Sequence, residues 1–183
     1  MIIFSKISCL KSLLNGQQIG LTIRRLANQV LENHIALKNT VIIGIQPRGV
    51  FLSDRLVEEL KNEVNEPSIS YGKLDITFYR DDLRNELHFP NKIDMPFSIE
   101  GKKVVLVDDV LYTGRTIRAA LDALMDFGRP EKVELLVLVD RRYSRQLPIQ
   151  ADYIGKTIDS IISQKVKVKW AENEGADEVV LLD

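Results

Sequence analysis

Residues 103–140 contain two apolar runs that do not alternate, KVVLVD (103–108) and KVELLVLVD (132–140), separated by a polar turn and an amphipathic stretch. A strand covered on one face alternates apolar and polar side chains. A run without alternation needs cover on both faces, as strands of a parallel sheet have. Two neighbouring strands run the same way only if the chain crosses back between them. The spacing of Ile117, Ala120, Leu121 and Leu124 predicts that crossover as a helix starting near Gly114. This unit sets the class as α/β, with a mainly parallel central sheet flanked by helices.

The remaining segments extend the pattern. Ile19, Ile23, Leu26, Val30 and Leu31 recur at helical spacing and predict a helix ending before Asn39. VIIGI (41–45) is a short β-branched strand, and IQPRGV turns the chain into a second helix carrying Val50, Leu52, Leu56, Val57 and Leu60. ISYGKLDITFY (69–79) reads as one long strand, and DYIG, KVKVKW and EVVLLD as short closing strands. With 183 residues and 45% apolar content, a single domain over 1–183 is expected, and the polar stretch 80–98 is a loop inside it. Cys9 is the only cysteine, which excludes an internal disulfide and fits a reducing compartment, the cytoplasm. The N-terminal stretch is interrupted by Lys6 and Lys11, so no membrane span and no membrane partner are expected.

Ligands of such sheets bind beyond the carboxyl ends of the strands. Three polar junctions fall there: Gln46-Pro47-Arg48-Gly49, residues 108–116, and Asp140-Arg141. At the second, Thr113, Gly114 and Thr116 stand where a helix begins and its first N–H groups have no internal partners, which makes an anion cradle suited to a sugar phosphate. Asp108 and Asp109 would repel that phosphate at contact distance. One sugar length away they can accept hydrogen bonds from a vicinal diol. Thr113 alone reads more simply as a helix cap; the acidic pair beside a glycine-containing loop reverses that reading.

The segment V-V-L-V-D-D-V-L-Y-T-G-R-T resembles the phosphoribosyl pyrophosphate (PRPP) signature of type I phosphoribosyltransferases. More narrowly, I-I-G-I-Q-P-R-G-V, L-D-I-T-F-Y-R-D-D-L, G-R-P, L-V-L-V-D-R and L-P-I-Q-A-D-Y-I-G-K resemble the bacterial pyrimidine-operon attenuation regulators that are also uracil phosphoribosyltransferases. The resemblance implies the type I phosphoribosyltransferase fold, with a flexible lid loop at about 80–98 and a small hood from about 1–16 and 141–183. It implies that uracil and PRPP give UMP and pyrophosphate, with Mg²⁺ bound mainly through PRPP, in a homo-oligomer. By the same resemblance, Asp108, Asp109 and Arg80 are catalytic. Arg48 and Gly49 hold pyrophosphate, and Tyr112, Thr113, Gly114, Arg115 and Thr116 hold the 5-phosphate. Arg141, Tyr153 and Ile154 read the base, and Asp140 reaches the metal through water. Purine enzymes of the superfamily carry aspartate at the position of Tyr112, so the aromatic implies a pyrimidine. The family's D-R-G-H-R-E turn is replaced here by Asp140-Arg141-Arg142-Tyr143-Ser144-Arg145-Gln146.

RNA is the less favoured partner. The net charge is -1, and the candidate surface is local: Arg24, Arg25, Arg141, Arg142, Arg145, Lys156, Lys165, Lys167 and Lys169. Alternation places the last three lysines on one face of a strand, where a solvated, edge-protecting role is the simpler expectation.

Overall fold

The computed structural model describes residues 10–64, 69–80, 93–161 and 163–183. The chain runs β1 (Leu10–Asn15), α1 (Gly16–Asn33), β2 (Thr40–Ile45), α2 (Gly49–Val64), β3 (Ser70–Leu74), β4 (Lys103–Leu111) and α3 (Arg115–Leu124). It continues through β5 (Lys132–Arg142), β6 (Tyr153–Asp159), β7 (Lys165–Lys169), α4 (Ala171–Glu174) and β8 (Glu178–Leu182). A five-stranded sheet has the order β3-β2-β4-β5-β6, and every neighbouring pair in it is parallel. A three-stranded antiparallel sheet, β1-β8-β7, forms the hood.

The absence of alternation in the strands has the expected cause. On one face of the sheet, Ile42, Val105, Val107, Leu136 and Leu138 pack with Ile23, Leu26 and Val30 of α1 and Leu52 and Leu56 of α2. On the other, Val41, Ile43, Val104, Leu106, Leu135 and Val137 pack with Ile117, Ala120 and Leu124 of α3. Successive side chains point to opposite faces, so each strand contributes to both clusters. Val168, Trp170 and Val179 bring the hood onto the α1/α2 side.

Several boundaries differ from expectation for local reasons. Asn15 and Gln18 form a reciprocal capping box that starts α1 directly after β1. The stretch 69–79 is not one strand: Asp75 Oδ1 accepts from the N–H of Thr77 at 2.7 Å and its hydroxyl at 2.6 Å, turning the backbone into a 3₁₀ turn over Thr77–Tyr79. Strands β4 and β5 run past their apolar stretches to Leu111 and Arg142. Strand β6 is the edge of the main sheet, so only part of the expected 141–183 hood segment is hood. Most of the expected lid loop, residues 81–92, lies outside the described residues, as do hood residues 1–9. The end of that lid range is packed: Lys73 and Asp94 exchange backbone hydrogen bonds of 2.8 and 3.0 Å, and Phe97 lies against the core.

Candidate active site

The chain leaves β2 toward β3 on one side of the sheet, and β4 leads to β5 and β6 on the other. Adjacent strands whose connections diverge leave a crevice beyond their carboxyl ends. The loops after β2 and β4 face each other across it. At Gly49, an added Cβ would lie 2.5 Å from the carbonyl oxygen of Val107 and 3.0 Å from Cα of Asp108. Only glycine lets the start of α2 come this close to β4. Gly49→Ala must therefore displace backbone. It is expected to cost about 1–3 kcal/mol, read as a lower urea midpoint at unchanged m-value.

Asp108 and Asp109 lie within β4, each 6% exposed. Asp108 Oδ1 accepts from the N–H of Asp109 at 2.9 Å, and Asp109 Oδ2 accepts from Arg48 Nε at 2.9 Å. Burial pushes both carboxyls above the ordinary aspartate range. The charge of Asp109 adds to the shift at Asp108, which stands well above its usual value, while Arg48 opposes the shift at Asp109. Arg48 also donates to the carbonyl of Val168 in β7. The residue expected to face pyrophosphate thus connects the acidic pair to the hood.

The loop after β4 enters α3 through Gly114, whose φ of 92° is left-handed and favours glycine. Gly114 itself occupies the cap position, and no side chain caps α3. The hydroxyl of Thr113 is 3.4 Å from the N–H of Arg115, so the capping reading of Thr113 is not supported. The open helix start lines a cavity of about 380 Å³ together with Arg80, Val110, Tyr112, Arg115, Thr116 and Gln146. Arg80 therefore stands at the same cavity as residues 112–116, the loop expected to hold the 5-phosphate, and its charge acts on Asp108.

The residues expected to read the base separate into two groups. Arg141 is buried, with its guanidinium 4.0 Å from the Tyr112 ring centroid, donating to Ser160 Oγ at 2.9 Å and the carbonyl of Gln164 at 2.8 Å. Tyr153 and Ile154 open β6, and Tyr153 pairs with Leu136, so both sit toward the amino end of the sheet. At the level of Asp140 the β6 partner is Thr157. Tyr153 donates to Glu134 at 2.8 Å beside His34, and the carbonyls of Ile154 and Gly155 accept from Arg25 at 3.2 and 2.7 Å. The structure does not bring this pair to the crevice. Asp140 is ion-paired through Oδ1 to Arg145, which competes with the expected water-mediated metal contact.

That pairing also changes the reading of the basic surface. Arg145, expected at an RNA-facing patch, is turned inward, and Arg141 is buried. Arg142 pairs with Asp159 at 2.7 Å, Lys167 with Glu174 at 2.7 Å and Lys169 with Glu178 at 3.0 Å. Gln146, which sequence reasoning did not single out, lines the cavity and accepts from Arg115 Nε at 2.8 Å. Its only sequence signal is its place one residue after Arg145.

An uncapped helix start that lines a cavity directly after a strand carrying a buried carboxylate pair suits a sugar bearing a diol and a phosphate. Comparison with known proteins agrees. The phosphoribosyl transferase domain model matches residues 10–173. The bifunctional protein PyrR of Enterococcus faecalis is 44% identical over 175 residues, covering 93% of this chain and 96% of the relative. That of Geobacter sp. strain M21 is 47% identical over 171 residues, covering 92% and 96%. Among solved structures, a hypoxanthine phosphoribosyltransferase from Staphylococcus aureus shares the fold, with a TM-score of 0.72 at 22% identity over 94% of this chain and 91% of that one. The chain is a phosphoribosyltransferase, and it belongs with the bifunctional PyrR proteins within that family.

Proposed function

We propose that this protein transfers ribose 5-phosphate from PRPP to uracil, giving UMP and pyrophosphate. The observation that supports the reading is the cavity lined by Arg80 and the open start of α3, which follows directly on the buried pair Asp108 and Asp109, with the charge of Arg80 acting on Asp108. The bond between the anomeric carbon and the pyrophosphate oxygen breaks as the ring nitrogen of uracil bonds to that carbon, and the nitrogen's proton is lost. Positive charge develops on the ribose ring during displacement. Asp108 and Asp109 accept from the ribose hydroxyls and put negative potential beside the ring. The amides and hydroxyls of residues 112–116 hold the 5-phosphate, and Arg80 and Arg48 face the departing anion.

Among the described residues no cluster of three or more potential ligands could hold a metal ion. The acidic pair nevertheless fits Mg²⁺ carried on ligand oxygens, because such ions take one or two carboxylates and keep their water. When bound, Mg²⁺ would supply charge neutralisation of the pyrophosphate, and Asp108 and Asp109 are the carboxylates that would face it.

The base is assigned as a pyrimidine on the aromatic at position 112, which the Arg141 guanidinium covers. A purine enzyme's carboxylate is missing, and a site that leaves a buried ring nitrogen unpaired rejects that ligand strongly. Pyrophosphate release is expected with uracil and not with hypoxanthine or guanine. Faster release with guanine would overturn the assignment.

A second reading, RNA-binding control of pyrimidine genes with UMP as effector, is supported by the relatives' description as bifunctional. Its surface would centre on exposed Lys165 and on exposed Arg24, which keeps an ion pair of 3.5 Å with Glu59. Filter binding of a pyrimidine-operon leader RNA at several salt concentrations tests it: UMP-enhanced binding that persists at physiological salt supports regulation, and binding indifferent to UMP and sequence contradicts it.

A further inference from the structure

We infer that Arg145 is a positioning residue for the phosphate loop, shaping it by holding its carbonyl groups from behind; this rests on the reading of residues 112–116 as the 5-phosphate site. The guanidinium of Arg145 is occupied on all three nitrogens by the protein. Nε donates to the carbonyl of Ile149 at 3.1 Å. One terminal nitrogen donates to the carbonyls of Leu111 at 3.2 Å, Arg141 at 3.0 Å and Tyr112. The other donates to Asp140. Arg145 therefore ties the end of β4 to the end of β5 and to the segment that follows. Its neighbours continue the pattern, because the N–H groups of Gln146 and Leu147 donate to the carbonyl of Thr113 at 3.0 and 3.3 Å.

Three successive carbonyls, of Leu111, Tyr112 and Thr113, are thus fastened to residues 145–147. A trans peptide plane carries its carbonyl and the next residue's N–H on opposite edges. Each fastened carbonyl turns the following N–H away from Arg145, so the amides of Tyr112, Thr113 and Gly114 face away from the clamp. The cavity lined by Val110, Tyr112, Thr113, Gly114, Arg115 and Thr116 is where such amides meet an anion. A rigid five-donor fork suits this task, since an ammonium group cannot span five oxygens on three chain segments. Asp140 completes the clamp: by pairing with Arg145 it fixes the guanidinium plane rather than presenting itself to a metal.

The experiment compares Arg145→Gln and Arg145→Lys with the wild-type chain in two assays, steady-state pyrophosphate release and direct calorimetric titration with ribose 5-phosphate. A loop whose amides have lost their alignment binds the phosphate poorly. The KM for PRPP and the Kd for ribose 5-phosphate are expected to rise about tenfold or more in Arg145→Gln, and less in Arg145→Lys, while kcat and the KM for uracil change by under about threefold. A role confined to packing lowers the active fraction instead, reducing kcat with both KM values unchanged, and that pattern overturns the inference. If the Gln variant does not fold, wild-type affinity for ribose 5-phosphate in folded Arg145→Lys overturns it as well. A wild-type chain that does not bind ribose 5-phosphate also contradicts it. Wild-type binding of ribose 5-phosphate without pyrophosphate release for any base counts against the uracil transferase reading alone, and the affinity comparison still decides the role of Arg145.

Discussion

Asp109→Asn is expected to lower kcat/KM for PRPP by about ten- to a hundredfold, the equivalent of losing one or two charge-assisted hydrogen bonds to the ribose diol. The substitution keeps the shape of the side chain and an oxygen that Arg48 Nε can still reach, so the fold should persist. Asp108 and Asp109 are buried carboxyls held above their ordinary range. A carboxyl with a raised folded-state pKa makes the native state bind more protons than the unfolded chain, so stability is greatest below the unfolded value near about 4 and falls as pH rises through the folded value. Asp108→Asn should flatten that fall and raise the melting temperature at pH 8 while it removes activity. Unchanged turnover in Asp109→Asn contradicts the diol role; a lower melting temperature for Asp108→Asn at pH 8 contradicts the account of buried charge.

Glu134→Ala is expected to have the largest effect on stability, about 3–5 kcal/mol, with little effect on the kinetics of the folded protein. Glu134 is 6% exposed at the amino end of β5. Its Oε2 lies 2.6 Å from His34 Nε2 and accepts from the Tyr153 hydroxyl at 2.8 Å, and its Oε1 accepts from Lys132 at 2.5 Å. Burial alone would raise this carboxyl, but Lys132, Tyr153 and His34 together bring it down to about 2. The stability it contributes is therefore present above the unfolded glutamate value of about 4.3 and lost as pH falls toward the folded value. Removing the carboxylate leaves two buried polar partners without their acceptor. Equilibrium urea unfolding measures the cost. A loss under about 1 kcal/mol contradicts the account of the cluster, and a tenfold fall in kcat/KM shows that it communicates with the crevice.

The parts of the molecule that follow from local chemistry were readable in the chain. Apolar runs at 103–108 and 132–140 announced strands covered on both faces, and the polar junction after the first announced the residues that line the cavity. What depends on pairing between distant segments was not readable. Tyr153 looks like a crevice residue until the register places it opposite Leu136 rather than at the level of Asp140. The hood joins β1 to β8 across almost the whole chain, and no local pattern specifies that partner. Arg145 stands in a polar, arginine-rich segment, where a solvated cation is the ordinary expectation. Only the convergence of five oxygens from the ends of β4 and β5 and the loops after them shows that it faces inward. Asp75 was hidden for the opposite reason, because a short acidic side chain that bonds its own backbone interrupts a strand without disturbing its apolar pattern.

PRPP is expected to lie in the crevice between the loops after β2 and β4. A crystal structure of the chain with PRPP and Mg²⁺ decides this. The predicted result has the 5-phosphate against the amides of residues 113–116, the ribose hydroxyls on Asp108 and Asp109, and the pyrophosphate toward Arg80 and Arg48. Density for PRPP at any other place, or a ribose facing away from the acidic pair, would contradict it.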